Sequence, residues 1–129
     1  MANELVLIIE DNEKNRKLER DVLQFQGYQT VDTDNAEEGI RLAKERKPAL
    51  ILMDLHLPGI DGIEALKRLR RDSKTERIPV IAVTASAMNE DRKKIVAAGF
   101  DGLQTKPVHV KTFLRAVADT IARFRGRAA

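Results

Sequence analysis

The sequence predicts an α/β fold in which helices cover both faces of a five-stranded parallel sheet. Three short apolar runs, Leu5 to Ile9, Ala49 to Met53 and Val80 to Val83, are bounded by polar or turn residues. Runs of this length and composition are typical of strands buried on both faces. Segments with helical spacing of apolar residues lie between them. Regular alternation of strand and helix predicts right-handed crossovers and a doubly wound architecture.

The remaining elements complete five βα units. Weaker strands are predicted from Gln29 to Thr33 and from Gly102 to Gln104, each after a turn that contains glycine. Apolar residues at helical spacing indicate helices at four places: Leu18, Val22 and Phe25; Ala36, Ile40 and Ala43; Ile63, Leu66 and Leu69; and Val110, Phe113, Leu114, Val117, Ile121 and Phe124. The expected strand order is 2-1-3-4-5, which is the flavodoxin-like arrangement.

Length and composition indicate one ordinary domain. The chain has 129 residues, no cysteine, 33% charged residues and a formal net charge of only +3. Without cysteine, a disulfide framework, a thiolate zinc site and a thiol nucleophile are all excluded. The charges are mixed in sign along the chain, so no basic patch points to nucleic acid, and no apolar run is long enough to span a membrane. We therefore expect a cytoplasmic protein that binds neither nucleic acid nor membranes.

Residues with chemical capability follow the predicted strands. Glu10 and Asp11 follow the first strand, Asp54 the third, Thr84 the fourth and Lys106 the fifth. Taken singly, each has a structural explanation as a helix cap, a turn residue or a solvated cation. Because the carboxyl ends of strands in an open α/β sheet form the ligand crevice, we expect all five to converge.

Three carboxylates in one crevice imply a bound cation. Like charges raise the cost of ionising one another unless a cation neutralises them, and oxygen ligands without a His or Cys pair favour Mg²⁺. The expected ligands are Asp11, Asp54, the backbone carbonyl of His56 and, through water, Glu10. A carboxylate beside Mg²⁺ and a lysine can accept a phosphoryl group, and Asp54 is the best-placed candidate.

Four segments of the sequence resemble the receiver domains of bacterial response regulators. They are Glu10-Asp11-Asn12, the stretch from Asp54 to Gly62, Val83-Thr84-Ala85 and Lys106-Pro107. The resemblance extends from about residue 4 to residue 124, and four segments in register make it far more specific than one short motif.

The resemblance implies a role for each of these residues. Asp54 would take up phosphate from a phosphohistidine of a sensor histidine kinase or a histidine phosphotransfer protein. The Thr84 hydroxyl and the Ala85 N–H would bind one phosphoryl oxygen, and the Lys106 ammonium another. The family usually has a cis peptide before the proline that follows its lysine, which here is Pro107.

The chain is similar to single-domain regulators of the DivK type, which are signalling proteins and not enzymes. We expect residues 1–129 to form a single receiver domain with a core of about 4–124, no output domain, and a monomeric or weakly dimeric state. A receiver excised from a hybrid histidine kinase is an alternative. An Mg²⁺-dependent phosphatase is less well supported, because no second acid stands two residues after Asp54. A receiver-shaped binding module that is never phosphorylated is a third reading.

Three further positions carry expectations. Leu103 occupies the place where receivers usually have a tyrosine or phenylalanine that turns inward on phosphorylation, so this chain offers neither a ring nor a hydroxyl for that readout. His56 borders the phosphoryl site and, with Ser86, is a candidate for influencing phosphate lifetime.

The predicted output surface comprises the fourth helix, the fifth strand and the fifth helix, roughly Met88 to Arg123.

Overall fold

The computed structural model describes residues 3–85, 89–106 and 108–125 of the chain. Strands and helices alternate throughout, as the sequence predicts. The strands are Leu5–Ile9 (β1), Gln29–Thr33 (β2), Leu50–Asp54 (β3), Val80–Thr84 (β4) and Gly102–Thr105 (β5). The helices are Glu13–Phe25 (α1), Ala36–Arg46 (α2), Gly62–Arg70 (α3), Asn89–Ala98 (α4) and Val110–Arg125 (α5).

All five strands pair in parallel in the order β2-β1-β3-β4-β5, which confirms the predicted doubly wound topology. β3 begins and ends one residue later than predicted, and β4 and β5 each run one residue further. Asp54 and Thr84 are therefore the last residues of their strands. Backbone bonds continue beyond them, from Leu55 N–H to Val83 O at 3.3 Å and from Lys106 N–H to Thr84 O at 2.8 Å. This pairing aligns the carboxyl ends of the strands at one edge.

Two apolar clusters hold the layers together, one on each face of the sheet. Alternate strand residues point to opposite faces, so Leu7 and Ile9 join one cluster while Val6 and Ile8 join the other. The first cluster is closed by α2, α3 and α4, and the second by α1 and α5. Phe100 is buried in the first cluster, as its apolar character predicts.

Helix α1 is confirmed, but the apolar stripe that indicated it is not its buried face. Phe25 is 92% exposed and Leu18 is 40% exposed, whereas Glu19 and Leu23 are buried. Leu23 is one turn beyond Glu19, so both lie on the same side of α1, and Leu23 packs in the second cluster with residues of β1 and α5. The apolar spacing predicts the helix but does not define its buried face, to which Val22 contributes only in part.

Helix α5 is the longest helix, at 16 residues, and lies against the second cluster through Phe113, Val117 and Ile121. Thr120 on the same face is also buried, while Val110 is 47% exposed. No helix in the described part of the chain has the length and apolar character needed to cross a membrane.

Candidate functional site

Three carboxylates meet at the carboxyl edge of the sheet. Glu10 and Asp11 follow β1 directly, and Asp54 ends the neighbouring strand β3. One carboxylate oxygen from each residue lies within 4.8 Å of the others. Glu10 and Asp54 are buried, whereas Asp11 is exposed. The cluster thus has a buried floor and one open side.

Lys106 brings a positive charge to this cluster from the end of β5. Its Nζ lies 2.8 Å from Glu10 Oε1 and 3.2 Å from Asp54 Oδ2. The lysine can reach both carboxylates because the main chain of Lys106 still pairs with that of Thr84. One ammonium therefore faces two buried carboxylates and a third nearby, which leaves a local excess of negative charge.

Burial, together with the neighbouring charges, changes the pKa values of these groups. Burial raises the pKa of Glu10 to about 7, and the neighbouring Asp54 adds to the effect, while Lys106 opposes it. Burial and Asp54 likewise raise the pKa of Asp11. The pKa of Lys106 is raised, because its two carboxylate partners outweigh the burial that would lower it. The site favours protons, or another cation, in addition to the lysine.

Asp54 is the member of the cluster that remains an anion. Burial would raise the pKa of Asp54, but hydrogen bonds from Glu10 and from the His56 N–H, together with the charge of Lys106, hold it below its usual value. The His56 N–H donates to Asp54 Oδ1 over 3.1 Å. An ionised carboxylate that is oriented from two sides is suited to act as a nucleophile.

Helix α3 begins directly against the backbone of Asp54. Asp61 caps the helix by accepting a hydrogen bond from the Glu64 N–H at 2.9 Å. At the next residue, Gly62, a Cβ atom would lie 2.9 Å from Asp54 O and equally close to Leu55 Cα. Only glycine permits this approach, so the Asp61-Gly62 pair determines where the loop after Asp54 turns back.

Thr84 and Ala85 lie on the other side of Asp54, at the end of β4. Thr84 is buried and Ala85 is exposed. Between the β3–α3 loop and α4, Thr84 borders a cavity of about 170 Å³. Its other lining residues are Leu55, His56, Asp61, Ile63, Lys94 and Ile95. The structure therefore brings the predicted hydroxyl and His56 to one opening beside Asp54.

The donor set suits a hard divalent cation. All three converging groups are carboxylates, two of them are buried, and one is open to water. Mg²⁺ prefers a few carboxylate oxygens and retains several waters, which the exposed side at Asp11 permits. The residues present thus fit the ion that the sequence predicts.

The remaining predicted positions are only partly within the described structure. Leu103, on β5, is half-buried and packs against the first apolar cluster beside α4. His56 is exposed at the mouth of the cavity. Ser86 and Pro107 lie outside the described residues, so the predicted lifetime role of Ser86 and the expected cis peptide have no structural counterpart here.

Sequence reasoning missed two charged residues on α1 that lie near the site. Arg16 donates from Nη1 to the backbone oxygen of Glu10 at 2.9 Å. Glu19 is 2% exposed, and its pKa is raised to about 8 by burial first and by the negative charge of Glu10 second. The sequence offers one signal, since helical side chains lean toward the amino end and can reach the strand end that precedes the helix.

The sequence matches the family described as Response regulator receiver domain over residues 6–118. It is 45% identical over 112 residues to the polar-differentiation response regulator DivK of Brucella anthropi, which covers 87% of this chain and 91% of that protein. DivK of Brucella ovis is 44% identical over the same length.

Solved structures show the same architecture. The receiver domain of the sensor histidine kinase PA1611 from Pseudomonas aeruginosa, described with a magnesium ion coordinated in its active site cleft, has a TM-score of 0.87 and 30% identity over 94% of this chain and 99% of that one. A response regulator from Chloroflexus aurantiacus has a TM-score of 0.89 and 25% identity over 93% of this chain and 98% of that one. This chain belongs to the receiver domains of two-component response regulators.

Proposed function

We propose that this chain is a phosphorylation switch in which Asp54 accepts a phosphoryl group in the presence of Mg²⁺. The observation that carries the proposal is the environment of Asp54, a buried carboxylate with a lowered pKa. It lies 3.2 Å from the Lys106 ammonium and within 4.8 Å of the Glu10 and Asp11 oxygens. A nucleophile, a cation for the incoming phosphate and a metal-ligand set thus occur together.

The proposed reaction is an in-line displacement at phosphorus. An oxygen of Asp54 forms the new bond to phosphorus as the bond to the donor nitrogen of a phosphohistidine breaks, and the departing imidazole takes up a proton. The product is an aspartyl phosphate. Asp11, Asp54 and the His56 backbone carbonyl, with Glu10 acting through water, would hold Mg²⁺, which would neutralise charge on the phosphoryl oxygens.

The groups around the cavity are proposed to bind the transferred phosphoryl. Lys106 takes one oxygen, since its ammonium already lies against Asp54. The Thr84 hydroxyl and the Ala85 N–H take another, because Thr84 ends β4 beside Asp54 and Ala85 follows it directly. His56, which lines the opening, and Ser86 are proposed to influence how readily water reaches the aspartyl phosphate.

The proposed donors are a sensor histidine kinase or a histidine phosphotransfer protein, and the proposed output is a protein contact. Similarity to DivK over most of the chain supports a role as a stand-alone single-domain regulator, monomeric or weakly dimeric, that acts in the cytoplasm without binding nucleic acid or membranes. The proposed contact surface is α4, β5 and α5, because these elements adjoin Thr84 and Lys106. Arg92, Lys93, Lys111 and Arg115 are its proposed cationic residues.

Phosphorylation by acetyl phosphate, followed by intact-mass measurement, tests the assignment. The wild-type chain should gain one phosphoryl group only when Mg²⁺ is present, because the acidic cluster repels an anionic donor until a cation is bound. Asp54→Ala should gain none. Asp34→Ala, which removes an exposed carboxylate at the end of β2, is the matched control and should label like the wild type.

Two results would contradict the proposal. Labelling of Asp54→Ala at the wild-type level would place the acceptor elsewhere. Full labelling in the presence of a chelator would remove the metal from the mechanism.

A further inference from the structure

Arg16 connects three elements next to the acidic cluster. Its Nη1 donates to Glu10 O at 2.9 Å, and its Nε lies 3.0 Å from Asp32 Oδ2 on β2. Arg16 and Asp32 are about one-fifth exposed, at 20% and 22%. Arg20, one turn further along α1, adds a second guanidinium 3.4 Å from the same Asp32 oxygen. The guanidinium of Arg16 is thus fixed at both of its ends.

The carbonyl that accepts the hydrogen bond from Arg16 belongs to the peptide between Glu10 and Asp11, two of the three acidic residues. Glu10 O and the Asp11 N–H lie in one rigid plane, so the hydrogen bond to Glu10 O sets the direction in which Asp11 leaves the strand. The other polar groups of Glu10 are also engaged. Its N–H donates to Thr33 O at 3.0 Å, and its Oε2 accepts from the Asn12 N–H at 3.1 Å.

We propose that Arg16, anchored by Asp32, is a positioning residue that orients the peptide between Glu10 and Asp11 for Mg²⁺ binding. This inference rests on the proposed function and extends it to residues outside the metal-ligand set. Mg²⁺ accepts only a narrow range of ligand geometry, so a rotated peptide at Asp11 lowers its affinity. Arginine suits the role because its planar fork can donate to a carbonyl and a carboxylate from separate nitrogens.

Mg²⁺ affinity distinguishes a positioning role of Arg16 from a purely electrostatic one, because the two roles predict opposite changes in that affinity when Arg16 is replaced. Removing a positive charge beside a cation site strengthens cation binding if only electrostatics is involved. Removing the group that orients a ligand weakens it. The direction of the change in Mg²⁺ affinity therefore separates the two explanations.

The experiment is a calorimetric titration of Mg²⁺ into the full chain, with the melting temperature of each variant measured in the absence of Mg²⁺. Arg16→Met, which keeps the apolar stem, should weaken Mg²⁺ binding about tenfold. Arg16→Lys keeps the charge with a single nitrogen and should weaken it about threefold. Lys17→Met is the matched control, since the one partner of Lys17 among the described residues is exposed Asp21, on the outer side of α1. It should bind Mg²⁺ as the wild type does or slightly more tightly.

Amide chemical shifts of Asp11 provide a second readout that does not depend on activity. In Arg16→Lys without Mg²⁺ this resonance should move while those of β3 stay in place. If both Arg16 variants bind Mg²⁺ as tightly as the wild type or more tightly, the positioning role is wrong, whatever happens to the melting temperature. If the wild-type chain itself binds no Mg²⁺, the proposed function falls and this inference falls with it.

Discussion

The two sides of Asp54 are built differently. On the side of β1 and α1, Glu10 is held by hydrogen bonds from Arg16 at 2.9 Å and from the Asn12 N–H at 3.1 Å, and Lys106 reaches Glu10 and Asp54 from β5 at 2.8 and 3.2 Å. On the side of β4 and α4 there is a cavity of about 170 Å³. Among the described side chains of α4, only Ile95 is buried, and Val96 is 71% exposed. The acidic groups are therefore held in place by hydrogen bonds and ion pairs, whereas α4 lies beside a cavity into which side chains can move.

The two sides suit different roles, the acidic side for binding a cation and the α4 side for a conformational change. A cation site must hold its ligands in place before the ion arrives, and it carries a cost in repulsion that the ion later relieves. A switch requires an element that can adopt a second position for a few kcal/mol at most. Helix α4, with its shallow burial, meets that requirement better than α3, which buries Gly62, Ala65, Leu66 and Leu69.

The largest expected effect concerns the acidic side, where a buried carboxylate lowers the stability of the folded protein. The substitution Glu19→Gln tests this. The pKa of Glu19 is raised to about 8 from its ordinary 4.5, so between these values the unfolded chain releases a proton that the folded chain keeps. Stability without Mg²⁺ should therefore fall as pH rises from 5 to 8. Gln does not titrate, so the variant should be more stable at pH 8 by about 2 kcal/mol, allowing for relaxation around the buried charge, and nearly unchanged at pH 4.

Urea unfolding at both pH values measures this effect. Glu76→Gln, which removes an exposed carboxyl outside the cluster, is the control and should match the wild type in stability at both pH values. Addition of Mg²⁺ at pH 8 should narrow the gap between Glu19→Gln and the wild type, because the ion offsets the negative charge of Glu10 and Asp54 that raises the pKa of Glu19. Equal stability of both proteins at pH 8 would show that the acidic side stores no such cost.

The second effect concerns the open side, at Leu103. Leucine fills less volume than an aromatic ring and has no hydroxyl, so its inward and outward rotamers should differ little in free energy. We expect phosphorylation to strengthen partner binding by only about tenfold, or roughly 1.4 kcal/mol of coupling. Leu103→Tyr should widen that ratio. Titration of the partner kinase against both phosphorylation states of both proteins decides the question, and a wild-type ratio of a hundredfold would assign the switch to another element.

The smallest effect separates binding from stability on the α4 and α5 surface. Lys93 and Lys111 are exposed, and none of the ion pairs found among the described side chains includes either of them. Replacing both with alanine should weaken kinase binding a few-fold while changing the free energy of unfolding by no more than about 0.5 kcal/mol. Exposed lysines of α3 and its following turn, Lys67 and Lys74, are the control pair. If both double variants bind the kinase with equal affinity, the output surface lies elsewhere on the protein.

The site residues at strand ends could be predicted from the sequence because parallel strands bring their carboxyl ends to one edge. Asp54 and Thr84 follow apolar runs whose strand character is unambiguous, so their convergence needed no knowledge of side-chain contacts. Arg16 and Glu19 lie on a helix and not at a strand end, so the same reasoning did not find them. Their importance depends on how α1 is rotated about its axis, and the exposed Leu18 and Phe25 show that apolar spacing alone does not determine that rotation.

The alignment of strand ends also has a consequence for synthesis on the ribosome. The acids of β1 emerge early, Asp54 emerges midway, and Lys106 emerges only with the last strand. A nascent chain that lacks β5 also lacks the ammonium that lies against Glu10 and Asp54 in the folded protein. If Asp54 is the phosphoryl acceptor, as proposed, the chain becomes competent for phosphorylation only after its last strand has been made and the whole sheet has assembled.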